Sequence, residues 1–128
     1  MFRTRALLVA IGVVIGAGVI YLLVNLNRPQ TGAADQSSVM ITLRDNAFDP
    51  SVFTIEGGEG QRVTFTLVNR GAVVHDLSIP DLGLQSSEIA PGQTTSVDFD
   101  SSTEGTYRFV CTVPGHEQAG MAGYMTIK

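Results

Sequence analysis

Hydrophobic and polar positions follow two different patterns along this chain. Residues 6–27 (ALLVAIGVVIGAGVIYLLVNLN) carry no charged side chain, whereas from residue 39 onward apolar and polar residues alternate in short runs. The runs are 39–44 (VMITLR), 52–55 (VFTI), 62–68 (RVTFTLV), 73–79 (VVHDLSI), 94–99 (TTSVDF), 105–111 (GTYRFVC) and 122–127 (AGYMTI). A period of two belongs to strands with one buried face. Gly57-Gly58, Asn69-Arg70-Gly71, Pro80-Asp81, Pro91-Gly92 and Pro114-Gly115 separate the runs with turn chemistry. No window carries helical periodicity of useful length. Short strands at this spacing predict an all-β domain over 39–128, a β-sandwich. Phe48, Phe53, Phe65, Phe99, Tyr107, Phe109 and Tyr124 supply the bulk of its core.

The uncharged front segment follows Arg3 and Arg5. From Ala6 to Leu26 a helix would be about 31 Å long, the thickness of a bilayer's hydrocarbon core. Residues 1–27 are therefore predicted to form one N-terminal transmembrane helix, a membrane anchor. A cleaved signal peptide is the alternative, because Gly32-Ala33-Ala34 offers small residues to a signal peptidase. Cations before the segment keep the N-terminus inside, so either reading delivers the rest to the extracytoplasmic face. Residues 28–38 (RPQTGAADQSS) have linker composition and no apolar period.

Charge sharpens the picture. All twelve acidic residues lie at Asp35 or later, where only five of the eight cations are found. Such a domain lacks the clustered Lys and Arg that phosphate contacts need, so nucleic acid is not an expected partner. One Cys excludes an internal disulfide, a four-thiolate zinc site and an iron–sulfur cluster. Two His in the chain leave no imidazoles for a second metal centre.

The chemistry concentrates in Cys111-Thr-Val-Pro-Gly-His116-Glu-Gln-Ala-Gly-Met121. Cys, His and Met recur there every five residues, between the last two predicted strands. Pro114-Gly115 suits the centre of a type II turn, which folds His116 back beside Cys111. Strand parity turns Cys111 inward with Tyr107 and Phe109, and His75 inward with Val73, Leu77 and Ile79. One thiolate, two imidazoles and one thioether form the ligand set of a blue-copper electron-transfer site.

These residues carry a family resemblance. The chain from about 39 to 128 resembles the cupredoxins, the type 1 blue copper proteins, with a Cys-x4-His-x4-Met loop of the azurin and rusticyanin type. The Asn69…His75-Asp76 stretch, Pro91-Gly92 and Gly105-Thr-Tyr-Arg-Phe-Val-Cys111 also match. The resemblance implies a Greek-key β-sandwich with copper near one end. It makes His75, Cys111 and His116 the equatorial ligands and Met121 the axial one. Val74 stands where azurins place a glycine whose carbonyl adds a weak axial contact, and Asp76 stands where many relatives have Asn.

The implied function is one-electron transfer, without enzymatic turnover, by a monomer on the outer face of a membrane. The alternative is a copper carrier or store. Met121, Val113, Pro114 and Ala119 would form a docking patch around His116 for a cytochrome or a membrane oxidoreductase. Asp98, Asp100 and Glu104 would steer a basic partner. Asp76 and Thr112 each follow a ligand, as the pair that ties the two ligand segments together does in relatives, so a hydrogen bond between them is expected.

Overall fold

The computed structural model describes residues 8–15, 18–25 and 37–128. Contacts divide the chain into two units, Met1–Ala33 and Ala34–Lys128.

In the first unit, β1 (Leu8–Ile15) and β2 (Gly18–Asn25) pair antiparallel, from Leu8↔Asn25 to Ile15↔Gly18. This corrects the expected transmembrane helix: among the described residues no helix is long and apolar enough to cross a membrane. The physical reason lies in residue type. Val9, Ile11, Val13, Val14 and Ile15 fill the first half, and Val19, Ile20 and Val24 the second. β-Branched residues favour strands, and an unbroken apolar run does not by its period distinguish a helix from two strands. Most of the expected linker lies outside the described residues, and its last two residues, Ser37 and Ser38, already belong to a strand.

The second unit is a two-sheet all-β sandwich. One sheet joins β4 (Ala47–Asp49), β3 (Ser37–Arg44), β6 (Arg62–Asn69) and β9 (Thr94–Asp100), in that order across the sheet. The other joins β5 (Val52–Ile55), β11 (Ala122–Ile127), β10 (Gly105–Val110), β7 (Ser78–Ile79) and β8 (Leu84–Gln85). Both sheets are mixed: β3–β6 and β5–β11 run parallel, and the other pairs antiparallel.

Alternation explains the core. Val63, Phe65 and Leu67 of β6 face Tyr107, Phe109, Met125 and Ile127 of the opposite sheet, all buried in one cluster. Phe109 meets Phe48 edge-on with centroids 5.1 Å apart, and Phe65 meets Phe99 at 4.9 Å. Met125 is fully buried in this cluster. Tyr124 has the opposite parity, stands across from Val52 and is half exposed, so it belongs to the outer face and not to the core.

The run 73–79 departs from a regular strand. Only Ser78–Ile79 is ladder, and His75 makes an isolated bridge to Ile89. Leu77 and Ile79 are buried as parity predicts, but Val73 is exposed, and Asp76 and Ser78 are buried as well. From His75 to Ile79 every residue is buried, and the polar side chains there find partners inside.

Candidate metal centre

The donors gather at one end of the sandwich. β10 ends at Val110, and Cys111 follows as the next inward position after Tyr107 and Phe109. The loop after it is closed by its own backbone. His116 N–H donates to the Val113 carbonyl at 3.0 Å, completing a turn in which Gly115 has φ of 88°, the left-handed position a type II turn gives to glycine. Met121 N–H donates to the His116 carbonyl at 3.0 Å, and Cys111 N–H to the Met121 carbonyl at 3.1 Å. These bonds bring His116 and Met121 back beside Cys111. Outside the loop, Arg108 Nη1 donates to Glu117 Oε1 at 2.7 Å.

His75 enters from the other segment. Its backbone exchanges both hydrogen bonds with Ile89, N–H to carbonyl at 3.2 Å and the reverse at 2.8 Å. Its Nδ1 lies 3.1 Å from His116 Nδ1 and 4.0 Å from Cys111 Sγ, and Cys111 Sγ lies 3.4 Å from His116 Nδ1. The three donor atoms fall within 4.8 Å of one another. Bond lengths of about 2.0–2.1 Å to imidazole and about 2.3 Å to thiolate, as zinc shows, let one ion reach all three at these separations. A soft sulfur with two imidazoles is also the donor chemistry that suits copper. His75, Cys111 and Met121 are fully buried, and His116 is partly exposed. Burial pushes the Cys111 thiol up, so metal entry must displace its proton.

Outer hydrogen bonds hold the two ligand segments together. Asp76 Oδ1 accepts the Thr112 N–H at 2.6 Å, and Oδ2 accepts the Thr112 hydroxyl. The expected Asp76–Thr112 tie is present, with two bonds where one was anticipated. Gln85 Nε2 adds a third donor to Asp76 Oδ2 at 3.0 Å and lies 3.4 Å from Thr112 Oγ1.

Three further residues outside the donor set support the site. Asn69 occupies the buried position after Leu67 on the inward face of β6. Its Nδ2 donates to the Val73 and Ile89 carbonyls at 2.8 and 2.7 Å, and its Oδ1 accepts the Gly71 N–H at 2.8 Å. One side chain thereby fixes the loop that leads to His75 and the segment that pairs with it. A polar residue at a core parity was the signal available in the sequence. Asp45, in the turn after β3, accepts the Ala72 N–H at 2.9 Å and lies 3.2 Å from His75 Nε2. The Ala72 bond first, and then the His75 ring, hold its carboxyl below the usual range. The Asp45 and His75 atoms fill the place that a Cβ on Gly71 would take.

The acidic residues expected to steer a partner are elsewhere. Asp100 pairs with Arg62 at the start of β6, and Glu104 precedes β10, so they and Asp98 lie toward the end of the sandwich away from Cys111. Val113 is half-buried beside His116, and Pro114 and Ala119 are exposed; Met121, expected in the patch with them, is instead fully buried, because its backbone bonds to His116 and Cys111 hold it inside the loop.

Comparison with known proteins agrees with this geometry. A copper-resistant cuproprotein CopI from Rubrivivax gelatinosus is 26% identical over 121 residues, covering 79% of this chain and 72% of that protein. Among solved structures, reduced auracyanin from Roseiflexus castenholzii superposes with a TM-score of 0.63 at 24% identity, over 72% of this chain and 97% of its own. Auracyanin A from Chloroflexus aurantiacus, described as a "blue" copper protein, gives 0.56 at 25% identity, over 73% and 99%. The pattern of the family described as a cupredoxin-like domain matches residues 15–126. A match of that extent, on a fold and a donor set that agree with it, makes this chain a copper-binding member of the cupredoxin-like domain family.

Proposed function

We propose that this protein is a one-electron carrier with a type 1 copper site, held or delivered by its uncharged N-terminal segment to the outer face of a membrane. Bound copper supplies the Cu(II)/Cu(I) couple, and the chain supplies everything that keeps the donors in place. The observation that carries the reading is the burial of the donors on a hydrogen-bonded frame. His75 and Cys111 are fully enclosed, and their segments are tied through Asp76. A donor set that cannot relax between oxidation states keeps reorganisation small, which suits electron exchange. His116 alone of the proposed ligands is partly exposed, between Val113 and the exposed Pro114 and Ala119. This small apolar edge is the docking surface for a redox partner such as a cytochrome or membrane oxidoreductase. Weak electron-transfer complexes use contacts of that modest size.

Met121, fully buried and bonded through its backbone to both His116 and Cys111, is the axial ligand in this reading. Met125 belongs to the core. In the copper-loaded protein Met121→Leu should raise the potential, since a weak donor to Cu(II) is lost, and Met121→Gln should lower it. Voltammetry checks this, and a shift with Met125→Leu but not with Met121→Leu would reverse the choice.

The second reading, copper binding for storage or resistance, is favoured by the similarity to a protein named a copper-resistant cuproprotein. The two separate on exchange: a carrier of electrons should reduce and reoxidise reversibly while giving up copper slowly to a competing chelator. Fast chelation with sluggish electron exchange would support the store. Neither reading includes turnover of a substrate. A fully buried thiol pushed up by its surroundings is a poor nucleophile.

Localisation has its own test. The native protein should sediment with membranes and resist high-salt extraction, or else be recovered outside the cytoplasm in a form that begins near Asp35. Recovery of the full-length chain in the cytosol would overturn the proposal.

A further inference from the structure

The turn between β3 and β4 holds an acidic side chain that no ligand assignment uses. Asp45 is 52% exposed, yet its Oδ1 reaches the wholly enclosed ring of His75 at Nε2, 3.2 Å away. The Ala72 N–H holds the same oxygen at 2.9 Å. The other ring nitrogen, Nδ1, faces Cys111 and His116. In an imidazole the bond made by one nitrogen decides which tautomer the ring adopts, and so which nitrogen is free for a metal. The backbone accommodates the contact at a single point. A Cβ on Gly71 would collide with Asp45 Oδ1 and lie 2.6 Å from His75 Nε2, so a side chain there would push the two apart.

We propose that Asp45 is the positioning residue of this copper site: its carboxylate takes the Nε2–H of His75, turns Nδ1 toward the metal, and lends the ring negative charge that favours the oxidised ion. The inference rests on the type 1 reading above. A carboxylate behind a ligating imidazole fixes the ring and raises its basicity. A more basic ligand holds Cu(II) better than Cu(I), so Asp45 lowers the potential.

The test uses the full chain. Asp45→Asn keeps the size and a carbonyl acceptor but removes the charge. Glu59→Gln removes the same charge from an exposed position before β6. Seven residue steps of that strand put its start about 23 Å from the end that carries Asn69, beyond a Debye length of about 8 Å at physiological salt. At a fixed applied potential Asp45→Asn should shift the oxidised-to-reduced ratio about tenfold toward the reduced form, a rise of about 59 mV for a one-electron couple. Glu59→Gln should shift it far less. Asp45→Ala should also weaken copper binding by about 10- to 100-fold. Independently of copper, nitrogen-15 NMR of the metal-free chain at pH 8 should show the His75 proton on Nε2, and Asp45→Ala should erase that preference. Equal potential shifts in Asp45→Asn and Glu59→Gln, or a proton on Nδ1 in the unmodified chain, would overturn the proposal. If the unmodified copper protein lacks an intense thiolate band, the type 1 reading fails by itself, and the NMR result still decides whether Asp45 sets the His75 tautomer.

Discussion

Cys111→Ser is expected to abolish the intense visible thiolate-to-copper band while leaving the β-sandwich folded. The band depends on a soft sulfur donor, and serine offers only a harder, less acidic oxygen in its place. The fold should survive for local reasons. The substitution changes one buried atom, and the Cys111 N–H bond to the Met121 carbonyl is a backbone contact that serine keeps. Phe109 and its aromatic neighbours are untouched. Absorption and paramagnetic resonance of the copper-loaded variant, with far-ultraviolet circular dichroism for the fold, make the comparison. A serine variant as blue as the parent would remove Cys111 from the ligand set.

Asp76→Ala should cost both copper retention and stability without removing a ligand. The carboxylate is 3% exposed and accepts from the Thr112 N–H, the Thr112 hydroxyl and Gln85 Nε2. Hydrogen bonds to a charged group contribute about 1.5–3 kcal/mol each, and truncation removes three at once, offset in part because Thr112 and Gln85 are exposed and regain water. A net loss near 3 kcal/mol is expected, measured as a fall in the urea midpoint of the metal-free protein. The His75 and Cys111 segments meet through this carboxylate, so copper should pass to a chelator about 10- to 100-fold more readily. Asp76→Asn, which keeps one acceptor oxygen, should lie between the two. An unchanged midpoint with unchanged copper release would show that the tie does not support the site.

The parts legible in the sequence are those governed by local period. β6 reads as Val63, Phe65 and Leu67 inward, and β10 as Tyr107 and Phe109 inward, because each pairs along most of its length. β4 and β8 were not predicted: with three and two residues they are defined by their partners and not by any pattern of their own. The run 73–79 shows the limit of parity. Its alternation turned His75 inward correctly, but the segment is held by Asn69 and Ile89 in place of a ladder, so Asp76 became buried as well and Val73 did not. At the site, donor identity was legible because His, Cys and Met are rare here and regularly spaced. Asp45 was not, since it lies 30 positions from His75 and carries no motif.

The place of β11 has a consequence for opening motions. This strand lies inside its sheet, paired through Ala122–Ile127 with β10 on one side and through Tyr124–Ile127 with β5 on the other. The donor loop runs directly from β10 into it, and Met121 adjoins its first residue. Freeing Met121 and His116 by fraying from that end therefore strips amides from a doubly paired strand. Slow amide exchange in β11 and slow metal escape become the same event, a single cooperative unit of local unfolding. Bound copper should then protect the β5 amides and the Tyr124–Ile127 amides paired with them, beyond the residues that adjoin Met121, by the free energy of its own binding.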